Sequence, residues 1–290
     1  MIRIATRGSK LALTQAGMVA EMIGGAELVE ASSDGEPGDK SRFVRGVERV
    51  LLAGEADVGV HSAKDLPGDM DEGLEIAAVP VREDPADVWI GAGSSLEDAP
   101  EGARVGTASL RRRAQLLAAR PDLRVEELHG NVDTRLRKLA EGGLDAIVLA
   151  AAGLRRLGRE AEIGFRVPVE TMVPAAGQGA LALQVRAGDT ASTEAVAVAV
   201  DFDAARELTA ERAAVALLEA TCATPVGVHA RIAGGELTIE AFVGLPDGSE
   251  WLRDRVEGES ADPVAAGVRL AERLLAAGAR ELLDRAEAMA

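Results

Sequence analysis

Four short runs of β-branched and small residues in this chain each break at polar residues and then deliver cations. They are IRIATRGS at 2–9 followed by Lys10, DVGVHSAKD at 57–65, RVGTASLRRR at 104–113 and AIVLAAAGLRR at 146–156. Strand-like and helix-like segments alternate from residue 2 to about 185, the pattern of α/β domains. In an open α/β sheet, ligands bind in the crevice outside the carboxyl ends of the strands. Helix N-termini at the same junctions supply free N–H groups and partial positive charge. A chain of net charge −16 that gathers cations at four such junctions is expected to be built around a polyanionic small molecule.

The remaining composition narrows the class. At 290 residues the chain can form two or three domains, each with its own core. No stretch approaches the roughly 18 consecutive apolar residues of a membrane span, and MIRIAT enters a strand with no secretory leader ahead of it. A cytoplasmic protein with no membrane partner is expected. The single cysteine excludes an internal disulfide and a CxxC metal site; the three histidines, His61, His129 and His229, lie far apart, read as hydrogen-bonding residues and suggest no metal site. A sequence pI near 4.7 would repel phosphate backbones, so nucleic acid is not an expected partner. Four Lys against 28 Arg, with no Tyr, fits an acidic, Lys-poor surface for a high-salt cytoplasm, where screening removes self-repulsion. A high-GC genome is the alternative source of the Ala, Gly and Arg usage.

Ser9 reads as the N-cap of a helix through Ile23, and a helix over 43–53 leads into the DVGV strand. PVREDPADV at 80–88 is a Pro- and charge-rich joint. A second unit follows, with WIGAG, RVGT, a helix from Ser109 to Arg120, strand-like LRVEELHG, a helix from Asn131 to Glu141, and AIVLA. VPAAGQGALALQV at 173–185 reads as a crossing segment with another strand. From about residue 202 the pattern becomes a long helix over 204–220, three strands and an amphipathic helix near 263–277, a separate α+β domain. GGE at 234–236 and PDG at 246–248 are hairpin turns. The expected domains are 1–82 plus 177–199, then 86–173, then 202–290.

Each motif has two readings on local sequence. Asp65 in a cation-lined cleft is a carboxylate suited to steadying a cationic intermediate or donating a proton, or else an N-cap or a partner of Lys64. In GTASLRRR, Thr107 and Ser109 offer hydroxyls, and Arg111 and Arg112 fall in a first helical turn. Guanidinium forks bind carboxylates bidentately; the alternative is a solvated basic turn, against which stands the unfavourable helix dipole. Asn131 is an N-cap with Arg135 one turn on. Arg155 and Arg156 are either site cations or helix surface. GQG at 177–179 lacks the third glycine of a dinucleotide fingerprint and reads as a close backbone approach. Cys222 sits in a short polar loop, either a small buried residue or a nucleophilic thiolate.

Taken together, RIATRGSKLAL, HSAKDLP, VGTASLRRRAQL, GNVDTRLRKL, DAIVLAAAGLRRLG, VPAAGQGALAL and LEATCATPVG closely resemble the porphobilinogen deaminases, or hydroxymethylbilane synthases, in order and spacing over essentially the whole chain. The resemblance implies two α/β lobes like those of periplasmic binding proteins plus a small C-terminal α+β domain. It implies a dipyrromethane cofactor held through a thioether to Cys222 and made from the substrate itself. Onto this primer four porphobilinogen molecules are condensed head to tail with loss of ammonia, and water releases hydroxymethylbilane for tetrapyrrole (haem-type) synthesis.

By the same resemblance Asp65 is the catalytic carboxylate, and Ser62, Lys64, Asp65, Thr107, Ser109, Arg111, Arg112 and Arg135 contact the cofactor. Arg7, Ser9, Arg156 and the residue at 129 contact substrate, and Lys40 and Phe43 belong to a covering lid. A monomer with no metal and no obligate protein partner is implied. Two departures stand out. His129 occupies a position where the family usually has Arg, and the stretch ELVEASSDGEPGDKSRF is shorter than usual. The rival readings are a solute-binding protein of the same two-lobed build and a family member that has lost activity.

Overall fold

The computed structural model describes residues 1–32, 42–68, 70–221 and 223–289. The first sheet uses β1 (Ile2–Arg7), β2 (Ala26–Ala31), β3 (Val58–Ser62) and β4 (Leu74–Ala78), with α1 (Lys10–Met22) and α2 (Arg42–Leu52) between them. The second uses β5 (Asp87–Gly91), β6 (Arg104–Gly106), β7 (Arg124–Glu126), β8 (Ala146–Ala150) and β9 (Phe165–Arg166), with α3 (Leu110–Ala119), α4 (Val132–Ala140) and α5 (Ala151–Arg156). The chain then returns: β10 (Leu181–Arg186) joins the first sheet, and α6 (Thr190–Val196) follows.

The sheet orders are β2-β1-β3-β10-β4 and β7-β6-β8-β5-β9. In each, three parallel strands lead into an antiparallel strand that entered from the other side of the molecule. This is the two-lobed arrangement expected from the periplasmic-binding-protein likeness. In the first lobe Ile4, Val58, Val60, Leu181 and Leu183 meet Ala16 and Val19 of α1 on one face. Ala5, Val47, Val50 and Leu51 form a second layer with α2 on the other. Strands covered on both faces read as continuous apolar runs, which is why DVGV and AIVLA were visible as strands. The edge strand β2, with most of its residues at least partly exposed, had no such run and was not foreseen.

The third unit is α7 (Phe202–Leu218), the antiparallel meander β11 (Val226–Ala233), β12 (Glu236–Gly244) and β13 (Trp251–Glu259), then α8 (Pro263–Ala276) and α9 (Ala279–Met289). Leu237, Ile239 and Ala241 of β12 pack on Ala210, Ala214, Leu270 and Leu274. The helices lie on one face, so β12 alternates over its first half. α7 begins two residues earlier than the expected helix because Asp201, not a later residue, caps it by accepting from the Ala204 amide at 2.8 Å. α9 was not foreseen; Gly278 at φ 100° breaks the chain after α8 and hides it from a single amphipathic pattern. Among the described residues no helix is long and apolar enough to cross a membrane.

Candidate active site

The parallel strands β1 and β3 end side by side, and their carboxyl ends carry the lobe-one part of the site. Arg7 closes β1. Ser9 caps α1 by accepting from the Ala12 amide at 3.3 Å, as expected. Ser62 closes β3, its Oγ accepting from Gln15 Nε2 at 2.9 Å, and a single 3₁₀ turn then presents Lys64 and Asp65. Asp65 pairs with Arg7, Oδ2 to Nη2 3.4 Å, so its partner is a cation brought in from the neighbouring strand rather than Lys64 or a helix end.

Lobe two answers from β6 and β8. Ser109 Oγ caps α3 by accepting from the Arg112 amide, and Thr107 Oγ1 accepts from the Ser109 amide at 3.2 Å. Arg111 and Arg112 are buried, not a solvated turn. Both grip Asp87: Arg111 Nη1 to Oδ2 at 2.7 Å and Nη2 to Oδ1 at 3.2 Å, Arg112 Nε to Oδ1 at 2.9 Å. Their other donors reach the carbonyls of Val173 and Val148, both at 2.9 Å. The helix-dipole conflict seen in the sequence is met by this buried carboxylate. Asn131 caps α4, and Arg135, one turn on, has a buried Nε without a hydrogen-bond partner. Arg156 donates from Nη2 to the Gly179 carbonyl at 2.6 Å, whereas Arg155 stays in a surface ion cluster with Glu83, Asp84 and Glu160.

The electrostatics show a cluster short of anions. Burial, then repulsion from Arg112, lowers Lys64 to about 8, against a partial offset from Asp65. Burial and the Arg112 charge push Arg135 down to about 10. Burial likewise lowers Arg156. His61, fully buried against Gln184 Oε1 at 3.0 Å, is lowered to about 4 by burial and is neutral at ordinary pH. An unpartnered buried guanidinium nitrogen on Arg135 and a depressed Lys64, both repelled by Arg112, are what a polycarboxylate ligand would satisfy. The donor set therefore fits a dipyrromethane, whose two pyrroles bear acetate and propionate groups.

Three residues at the site were missed by sequence reasoning: Gln15, Asp87 and Gln178. All are buried. Gln15 comes from the buried face of α1, whereas Asp87 and Gln178 arrive through antiparallel pairing, since β5 and β10 each bring an amino end to the edge where parallel strands bring carboxyl ends. Asp87 lies opposite Ala150 at the end of β8, and Leu181 opposite Ser62 at the end of β3. The GQG segment just before β10 is indeed a close approach: a Cβ on Gly177, at φ 71°, would stand 2.8 Å from the Lys64 amide nitrogen. His129 is exposed, its Nε2 3.2 Å from Glu127. Phe43 lies in α2, but its side chain, like Lys40 and Cys222, falls outside the described residues.

A two-lobed α/β body that gathers cations at its strand ends and crossing segments, with Asp65 and Asp87 among them, and that carries an appended α+β domain, has the donor set for a polycarboxylate ligand. The sequence pattern described as "Porphobilinogen deaminase, dipyromethane cofactor binding domain" matches residues 2–194, and that described as "Porphobilinogen deaminase, C-terminal domain" matches 205–276. Curated porphobilinogen deaminases from Brevibacillus brevis and Syntrophus aciditrophicus are each 43% identical, over 97% and 99% of this chain and 96% and 99% of theirs. One from Thiobacillus denitrificans is 49% identical over 85% of this chain and 81% of its own. The chain belongs to the porphobilinogen deaminase family, the hydroxymethylbilane synthases, transferases that condense four porphobilinogens into a linear tetrapyrrole.

Proposed function

We propose that Asp65, partly exposed beside Arg7, is the catalytic carboxylate of this condensation. Loss of ammonia leaves each substrate pyrrole cationic, and a carboxylate aimed at the ring N–H steadies that charge and moves the proton. Its pairing with Arg7 supports the reading, because substrate carboxylates that engage Arg7 would release Asp65 for the ring. Arg7, Ser9, Arg156 and the residue at 129 are assigned to incoming substrate. Ser62, Lys64, Asp65, Thr107, Ser109, Arg111, Arg112 and Arg135 are assigned to the cofactor, with Cys222 as its covalent anchor. When bound, the dipyrromethane supplies the acceptor carbon for the first condensation. Lys40 and Phe43 are assigned to a covering lid.

The observation that carries the assignment is the excess of cation over anion around buried Arg112 and the half-buried Lys64 and Arg135, in a chain that is otherwise acidic. The division into 1–82 plus 177–199, 86–173 and 202–290 is proposed with it, supported by the three separate sheets. So are a monomeric state, a cytoplasmic setting, adaptation to high salt, and the absence of nucleic-acid, membrane or obligate protein partners. Intact mass under denaturing conditions, with peptide mapping across 219–227, tests the anchor. Two linked pyrroles on Cys222 are expected, and a bare thiol after incubation with porphobilinogen would overturn it.

A further inference from the structure

We propose that Asp87 is a positioning residue that sets how tightly the cleft holds its polyanionic contents, by cancelling part of the charge on Arg111 and Arg112 and fixing where their remaining N–H groups point. The inference rests on the assignment of those two arginines to ligand carboxylates. Asp87 has no exposed surface, and it meets both guanidinium groups within 2.7–3.2 Å. Burial would raise its pKa, but Arg111 and Arg112 outweigh that and hold it below the usual carboxylate range, so it remains an anion. Two cations and one anion leave a single net charge, and both Lys64 and Arg135 are repelled by Arg112.

The carboxylate is also held from both crossing segments. Gln178 donates from Nε2 to Asp87 Oδ1 at 3.0 Å and to the Pro85 carbonyl at 2.6 Å, and its Oε1 accepts from Arg111 Nη2 at 3.4 Å. Pro85 lies on the first crossing and Gln178 on the second, so the pose of the arginine pair is fixed where the lobes join. An enzyme that must grip a chain gaining two carboxylates per turn, and then let it go, needs its cation count limited. A fixed internal anion limits it without competing for the ligand's own binding positions.

The competing reading is that Asp87 only ties α3 to the crossings, and the two readings give opposite signs. Wild type and Asp87→Asn would be pulsed with porphobilinogen, and the ladder of pyrrole additions followed by intact mass during a chase. The expected result is retention of the longest chains on the order of tenfold longer in Asp87→Asn, the factor that corresponds to 1.4 kcal/mol of added attraction. Retention should fall more steeply with salt, and kcat and KM should fall together. Equal or shorter retention with a raised KM would overturn the proposal.

Because Asp87→Asn leaves two buried guanidinium groups without their anion, the double variant Asp87→Asn, Arg111→Gln restores one net charge and carries the test if the single variant does not fold. Retention returning to the wild-type value supports charge compensation, and a double variant weaker than Arg111→Gln alone refutes it. Unchanged retention in Arg112→Gln would instead remove the arginine pair from ligand binding, which is a failure of the underlying assignment.

Discussion

Glu211 is the residue whose loss should most loosen the three units from one another. It is fully buried on α7, and its two oxygens serve both crossing segments and the third unit. Oε1 accepts from Arg82 Nη1 and from the Ala230 amide, each at 2.8 Å, and lies 3.3 Å from His229 Nδ1. Oε2 accepts from Arg82 Nη2 at 3.2 Å and from the Gly177 amide at 2.6 Å. Arg82 belongs to the first crossing, Gly177 to the second, and Ala230 and His229 to β11. In Glu211→Gln one oxygen becomes NH₂ and faces two N–H donors, whichever way the amide turns. A buried donor left unmatched costs about 1–3 kcal/mol, and removing one charge of a buried pair costs about 3–5 kcal/mol. Glu207, 3.3 Å from Arg82 Nη1, still shares that cation, which argues for the lower part of the range, about 3 kcal/mol in all.

At a few degrees per kcal/mol for a chain of this size, Glu211→Gln should melt roughly 10 °C lower, read by calorimetry at neutral pH. The pH dependence gives the sign. Burial raises the Glu211 pKa, but the Arg82 charge and the hydrogen bonds outweigh it, and the net shift is downward. A carboxylate depressed in the folded state contributes stability above its unfolded pKa of about 4.3 and loses it as pH falls through the folded value. The gap between wild type and variant should therefore narrow below about pH 4. A variant within about 1 kcal/mol of wild type at pH 7, or an equal gap at pH 7 and pH 3, would refute the ion-pair argument.

Asp65→Asn should fold normally and keep its covalent pyrroles but turn over about 100-fold slower or worse, the scale of losing one preorganised charge-stabilising group; wild-type rates would take Asp65 out of the chemistry. Lys64 is charged below its pKa of about 8, so retention of polycarboxylate ligand should weaken as pH rises through that region, and in Lys64→Met the dependence should vanish. His129→Arg, at an exposed position, should leave stability within about 0.5 kcal/mol and lower KM for porphobilinogen; an unchanged KM would remove position 129 from the substrate contacts.

The cations of this site were legible before folding and the groups that hold Arg111 and Arg112 were not, and that division follows strand direction. Arg7, Ser62, Lys64, Asp65, Thr107 and Arg112 sit at or just past the carboxyl ends of parallel strands, and a run of small β-branched residues followed by cations announces that position in sequence. The groups that hold Arg111 and Arg112 come from β5 and from the segment before β10, which run antiparallel and deliver their amino ends to the same edge. Residues before a strand carry no comparable signal, so Asp87 read as one more acid in VREDPADV and Gln178 as filler in GQG. One cue was available: β5 is buried through its first four residues, and an aspartate heading such a run must find a cation. Only tertiary pairing could name it, because Arg111 and Arg112 stand 24 and 25 residues away. Two of the unforeseen residues, the Asp87 anion and the Gln178 amide, thus aim the foreseen cations Arg111 and Arg112, so the sequence showed what the site could bind before it showed what governs how firmly.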